Sequence, residues 1–139
     1  MEPPDTREIL RRYRSFAVVG LSPRPERDSH RVARFLQDHG YRVIPVYPGE
    51  AEILGERCYS RLQDIPFPVE VVDLFRRSEA VPPFVDDAIA IGAQVVWMQM
   101  GVVHEEAAAR ARRAGLLVVM DHCPVIEYRR HFGASPAPR

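Results

Sequence analysis

Apolar residues in this chain gather into short continuous runs, separated by stretches where they recur every three or four positions, and this alternation predicts strands and helices in turn. Residues 16–21 (FAVVGL) form the first such run, ending at a glycine. A strand buried on both faces reads this way, because neither side of it needs polar positions. Residues 41–46 (YRVIPV), 69–75 (VEVVDLF), 95–98 (VVWM) and 116–120 (LLVVM) predict four more strands. Between them, Ser29 caps a helix in which Val32, Phe35 and Leu36 share one face until Gly40 stops it. Pro82 and Pro83 suit the first turn of a helix running to Ile91, where amide hydrogens have no partner to lose. An alanine-rich helix spans 104–114 and is closed by Gly115. Residues 5–14 predict a short helix capped by Asp5 or Thr6, whose Ile9, Leu10 and Tyr13 cover a sheet edge, and residues 124–132 predict a last one. Residues 47–68 read as irregular, with one helical turn near 60–64 and no assigned chemistry.

Strands alternating with helices imply right-handed crossovers and a mainly parallel sheet. The expectation is an α/β, Rossmann-like three-layer sandwich with a five-stranded sheet. Residues 1–14 are expected as a helix packing on the domain, 15–132 as the domain itself and 133–139 as a frayed tail. Ligands of such sheets bind beyond the carboxyl ends of the strands, where the strand order reverses. That directs attention to residues 22–29, Tyr47-Pro48, Phe75-Arg76 and 99–101.

Composition narrows the chemistry. At 139 residues, 46% hydrophobic and 27% charged, the chain suits one globular domain. Nineteen basic residues cancel nineteen acidic ones, which argues against a nucleic-acid binder and makes any anion site local. All the basic residues are arginine; the absence of lysine excludes Schiff-base chemistry, a Walker-type phosphate lysine and a Ser-Lys pair. No apolar stretch approaches the ~20 residues of a membrane span and the N-terminus has no signal-peptide core, so no membrane association and a cytoplasmic address are expected. Cys58 and Cys123 sit in no C-x-x-C pattern, which indicates neither a zinc site nor a disulfide framework.

The loop after the first strand reads G-L-S-P-R-P-E-R-D-S-H from Gly20 to His30. It sets Ser22, Arg24, Arg27 and Ser29 about a helix N-terminus, where free amides, the helix dipole, hydroxyls and guanidinium forks all favour phosphate. Residues 1–34 hold eight arginines against five acids. The plainer alternative is an N-capping serine with solvated loop arginines. A nicotinamide dinucleotide is disfavoured: of the three fingerprint glycines only Gly20 is present, and the second strand ends Val46-Tyr47-Pro48 without the ribose-binding acid. Arginines in place of glycines suit a ligand with an extra phosphate.

Several segments together resemble the small stand-alone CoA-binding proteins, relatives of the CoA-binding domain of succinyl-CoA synthetase alpha subunits and ADP-forming acyl-CoA synthetases. They are G-x-S-x-x-P-x-R-x-S from Gly20 to Ser29, H-G-Y-R-V-I-P-V from His39, V-D-L-F-R from Val72, A-I-A-I-G-A from Ala88, V-W-M-Q-M-G from Val96 and V-V-M-D-H-C-P from Val118. The resemblance implies coenzyme A bound across the strand ends. It carries the phosphate loop to Ser22, Arg24, Arg27 and Ser29, the adenine-side strand end to Tyr47-Pro48, and the later loops to Phe75-Arg76 and Met98-Gln99-Gly101. Tyr47 departs from the small polar residue usual in the family, and His122 stands where arginine is commoner.

The expected function is a non-catalytic carrier, sensor or partner subunit that binds CoA or an acyl-CoA, with a protein partner or homodimer in view. The alternative is an enzyme acting on acyl-CoA or CoA disulfide through Cys123 or Asp121. Against that, adjacent side chains past a strand point to opposite sides, which separates His122 from Cys123 and favours packing for the thiol. His30, His39, His104 and His131 share no ligand spacing and read as capping or surface residues. Trp97 reads as core, Phe75 as an apolar face for adenine, and Asp73 as a structural hydrogen-bonding acid.

Overall fold

The computed structural model describes residues 4–133. Its long elements are α1 (Thr6–Arg12), β1 (Ser15–Val19), α2 (Asp28–Asp38) and β2 (Arg42–Val46), then, after a two-stranded hairpin of β3 (Glu52–Ile53) and β4 (Glu56–Arg57), β5 (Val71–Leu74), α3 (Val81–Ala90), β6 (Val95–Met98), α4 (Glu105–Arg113), β7 (Leu117–Val119) and α5 (Pro124–Phe132). The five long strands form one sheet in the order β2-β1-β5-β6-β7, every neighbouring pair parallel. This is the α/β architecture that the alternating pattern predicts. Beyond Gly133, the expected tail lies outside the described residues.

The apolar runs are continuous because alternate residues serve opposite faces. Phe16, Val18, Val43, Val71, Val95, Trp97 and Val119 face one layer, while Ala17, Val19, Ile44, Val72, Leu74, Val96, Met98 and Val118 face the other. The first layer is built from α1, α2 and α5 through Leu10, Leu36 and Tyr128; the second from α3 and α4 through Val85, Ala88, Ala107 and Ala111. α1 lies beside the edge strand β7, where Ile9 and Tyr13 line a pocket with Leu117. It joins the helix layer, held where the Tyr41 hydroxyl donates to Leu10 O (2.5 Å) and the Thr6 hydroxyl donates to Glu127 Oε1 of α5 (2.7 Å).

The hairpin falls inside the segment read as irregular. Its turn puts Leu54 and Gly55 at φ 55° and 75°, and a leucine in the left-handed region is no turn signal. The short 3-10 turn, Leu62–Asp64, lies within the helical turn expected there.

The chain moves from β1 to β2 on one side, then crosses back to place β5 on the other. A crevice therefore opens between the carboxyl ends of β1 and β5, where successive crossovers leave on opposite faces. Gly20 follows β1 at this point. Its φ is +84°, and a Cβ there would lie 2.3 Å from Phe75 O, so both the conformation and the closeness of the two strand ends require glycine.

Candidate functional site

The loop after β1 is folded by its own polar groups. Ser22 N–H donates to Ser29 Oγ (3.0 Å), Arg24 N–H to Ser22 Oγ (3.1 Å), and the buried His30 donates through Nδ1 to Ser22 O (2.9 Å). The expectation that Ser29 caps the helix is corrected: α2 begins at Asp28 with Arg27 at the N-cap, and no side chain caps it. Ser29 instead stands in the first turn with its oxygen turned back to Ser22. An uncapped first turn leaves backbone N–H groups and the positive end of the helix dipole for an anion. Around it stand Arg24, whose 3.5 Å contact with Glu26 is between two mostly exposed side chains, and Arg27, which takes part in no ion pair among the described residues.

These residues line a polar chamber of about 530 Å³, with Gly20, Ser22, Arg24, Arg27, Ser29, Tyr47 and Phe75 converging on it. Tyr47 is fixed from behind: its N–H donates to Tyr59 O (2.9 Å) and its carbonyl accepts from the Cys58 thiol (3.3 Å). The segment without assigned chemistry thus braces the end of β2.

A second chamber of about 670 Å³ adjoins the first, and the two share Asp28 and Phe75 in their walls. Phe75, Arg76 and Gln99 come to it from the strand ends, Val32 and Phe35 from α2, and Cys123, Val125, Ile126 and Arg129 from the start of α5. Of its α5 wall only Cys123 was among the sequence candidates, as the nucleophile of the alternative function. Only the strand order reveals that α5 returns over β5 and β6; the one sequence signal was the run of apolar residues after Pro124.

Three candidates line neither chamber. Met98 is fully buried, since strand parity turns it into the α3–α4 layer while Trp97 and Gln99 turn the other way. Pro48 is exposed at the end of β2. Gly101 instead donates its N–H to Asp121 Oδ1 (2.6 Å), and Val103 N–H donates to Ser78 Oγ (3.0 Å), so the loops after β5, β6 and β7 are stitched together at the rim. Asp121 is thereby engaged as a loop staple. Cys123 is half-buried in the second chamber wall, while His122 lines a separate pocket with Glu127 and His131. His104 caps α4, its Nδ1 accepting from Ala107 N–H (3.1 Å). Trp97 is wholly buried, its Nε1 donating to His122 O (2.9 Å).

Beneath the second chamber lies a carboxyl group in apolar surroundings. Asp73 of β5 is 0% exposed, between Val18 of β1 and Trp97 of β6. Gln99 Nε2 donates to its Oδ1, and its Oδ2 is buried without a partner. Burial, only partly offset by the Gln99 hydrogen bond, pushes its pKa up to about 7. Among the described residues no group of His, Cys, Asp and Glu is arranged to hold a metal ion, and no helix is long and apolar enough to cross a membrane.

The fold and this divided crevice define the class: a Rossmann-like α/β domain with a serine- and arginine-bearing loop and an uncapped helix start at its switch point. Within that class the chain belongs to the CoA binding domain family, which matches residues 14–129. It is 44% identical over 119 residues to the uncharacterized protein YneT of Bacillus subtilis (strain 168), covering 86% of this chain and 88% of that one. A hypothetical protein from Pyrococcus horikoshii OT3 superimposes with a TM-score of 0.90 at 43% identity, over 96% of this chain and 98% of that one. An acetyl-coenzyme A synthetase from Ca. Korarchaeum cryptofilum, solved with phosphate and ADP, matches at 25% identity and a TM-score of 0.73, over 84% of this chain but 27% of that one. The similarity to the synthetase is therefore to one region of a much longer chain.

Proposed function

We propose that this protein binds coenzyme A, free or acylated, across the carboxyl ends of β1, β5 and β6, as a non-catalytic carrier, sensor or partner subunit. The observation that carries the reading is the division of the crevice. A polar chamber with an uncapped helix start, two serines and two exposed arginines meets a mostly apolar chamber at Phe75. Coenzyme A divides in the same way, into a phosphorylated adenosine with a diphosphate and a long, weakly polar pantetheine arm. Ser22, Arg24, Arg27 and Ser29 would hold the phosphates, Tyr47 and Phe75 the adenosine, and Arg76, Gln99 and the α5 wall the arm.

Calorimetry with CoA, dephospho-CoA, ADP and NAD tests this. CoA should bind tightest, and dephospho-CoA at least about threefold more weakly, from the loss of charge-assisted bonds to the extra phosphate. Equal affinity for those two would remove the role given to the arginines, and no binding of CoA would remove the reading.

One observation favours a second reading: Cys123 lies in the wall of the chamber assigned to the arm. There its thiolate would attack a disulfide of CoA, forming a mixed disulfide and releasing the other thiolate. A mass increase on incubation with CoA disulfide, absent in Cys123→Ala, would support it; no adduct in the wild type would exclude it.

A further inference from the structure

Asp73 is an expensive group to bury in the middle of a sheet, and the described residues supply it with a single partner. That partner, Gln99, lines the second chamber. Its Nε2 is committed to Asp73, while its Oε1 accepts no hydrogen bond among the described residues and is not sealed from solvent. The amide thus turns its donor inward and shows the cavity an acceptor. We propose that Asp73 is the positioning residue for this acceptor: by taking Gln99 Nε2 it turns Oε1 outward to receive an N–H from the ligand, such as those of the two secondary amides in a pantetheine arm. The inference rests on the CoA reading and assigns a polarity to its second chamber.

An ionised carboxylate can only accept hydrogen bonds, so it holds the amide in this one orientation. A protonated Asp73 behaves differently. Its O–H, on an Oδ2 without a partner among the described residues, would donate to Oε1 of the same amide while Nε2 still donates to Oδ1. That ring of two hydrogen bonds withdraws the acceptor from the cavity. Binding of an N–H donor at Oε1 should therefore favour ionised Asp73, and a carboxyl pushed up to about 7 lies where this exchange is accessible. The groups facing Asp73 from the sheet are Val18 and Trp97. The charged or titratable groups around the chamber are Asp28 and Arg31 of α2, Arg76 and Arg77 after β5, and Cys123 and Arg129 at α5, with the buried His30 of α2 bonded to Ser22 O. Because several of these are charged, variants are needed to assign a pH effect.

The test compares the dissociation constants of CoA and the β-methyl ester of 3′-phospho-ADP, which carries the same adenosine, 3′-phosphate and doubly esterified diphosphate without the arm, between about pH 5.5 and 8.5. Their ratio isolates the contribution of the arm. In the wild type that ratio should favour CoA by about three- to tenfold more at the alkaline end than at the acid end. Asp73→Asn, which has no titrating proton, should remove the pH step. Gln99→Met, which keeps the bulk of the wall and deletes Oε1, should remove the step and most of the arm's advantage; it decides the matter if the Asp73 variant does not fold. A step unchanged in Gln99→Met, or in a folded Asp73→Asn, overturns the proposal. Wild-type protein that binds CoA but shows no step overturns this inference alone, whereas protein that binds neither nucleotide takes the CoA reading down with it.

Discussion

Glu127 and Asp73 are both nearly sealed from water, at 5% and 0% exposure, but the first is surrounded by partners and the second has one. The Thr6 hydroxyl and Arg130 both donate to Glu127 Oε1 (2.7 Å each), and His131 Nε2 lies 3.8 Å away. Since the Thr6 hydroxyl donates to Glu127, its oxygen is free to accept from His131 Nε2 at 2.7 Å, which places the proton of that ring on Nε2. Burial pushes the Glu127 pKa up, but the bonds from Arg130 and Thr6, with the charges of Arg130 and His122, outweigh it and leave the group below its ordinary value. For Asp73 the balance reverses. One carboxyl is a joint between α1 and α5; the other is held ready under a cavity.

The two therefore act on stability in opposite senses. A pKa raised in the folded state means that Asp73 keeps a proton that the unfolded chain releases. Its contribution is complete below the unfolded value and disappears as pH rises toward about 7. Asp73→Asn should remove this loss, raising stability on the order of 3 kcal/mol relative to wild type at pH 8 and little at pH 4. Urea unfolding at the two pH values checks it, and an equal effect at both would show that Asp73 does not titrate over this range. Glu127 contributes above its unfolded pKa, and that contribution is lost as pH falls through its depressed folded value. Glu127→Leu should destabilise by about 2 kcal/mol at neutral pH, mainly because it leaves the buried Thr6 hydroxyl without its acceptor. The Arg130 ion pair adds little, since that side chain is 62% exposed.

Much of this was visible before any coordinates, for a reason particular to parallel sheets. Strands buried on both faces write themselves as unbroken apolar runs, and Gly20, Gly40 and Gly115 mark where the chain must turn in the left-handed region. Asp73 is conspicuous as the one charge amid V-V-D-L-F, and Gln99 as the polar end of V-W-M-Q. That the two meet depends on β5 and β6 being neighbours with Asp73 opposite Trp97, which strand-by-strand reading does not supply. The misplacement of Met98 is a parity error of one residue. Ser29 was legible as a residue of the loop but not in its role, because helix caps depend on where the first turn closes, and it closes two positions earlier.

The contrast between engaged and unengaged groups extends to the arginines. Arg130 is tied to Glu127, whereas Arg27 stands at the opening of α2 without an acidic partner among the described residues. If the unengaged group is the functional one, Arg27→Ala should weaken CoA binding by roughly 1 to 2 kcal/mol, with the effect reduced at high salt, and leave the urea midpoint unchanged. Arg130→Ala should change neither binding nor, beyond a few tenths of a kcal/mol, stability. Calorimetry and unfolding on the same pair of variants decide it; equal losses of affinity would mean that arginines well apart on the surface, and not a local cup, draw the ligand.

Thr6→Val tests whether Glu127 is a joint at all. The substitution keeps the shape and removes only the hydroxyl, so the burial of Ile9 and Leu10 is untouched. About 1 to 2 kcal/mol should be lost, since the hydroxyl gives up its bonds to both Glu127 and His131. Two further signs separate a joint from simple packing. With one of the bonds that depress it gone, the Glu127 carboxyl should move back toward its ordinary pKa, so the acid limb that it contributes should be smaller and should level off at a higher pH. Amide exchange should quicken in α1 before it does in β1, because the first turn of α1 loses its anchor to α5 while the sheet keeps all of its own bonds. If neither limb nor exchange shifts, packing alone holds α1 in place. The partners gathered around Glu127 would then be ornaments of the surface, and the orphaned state of Asp73 would lose the standard against which it is judged.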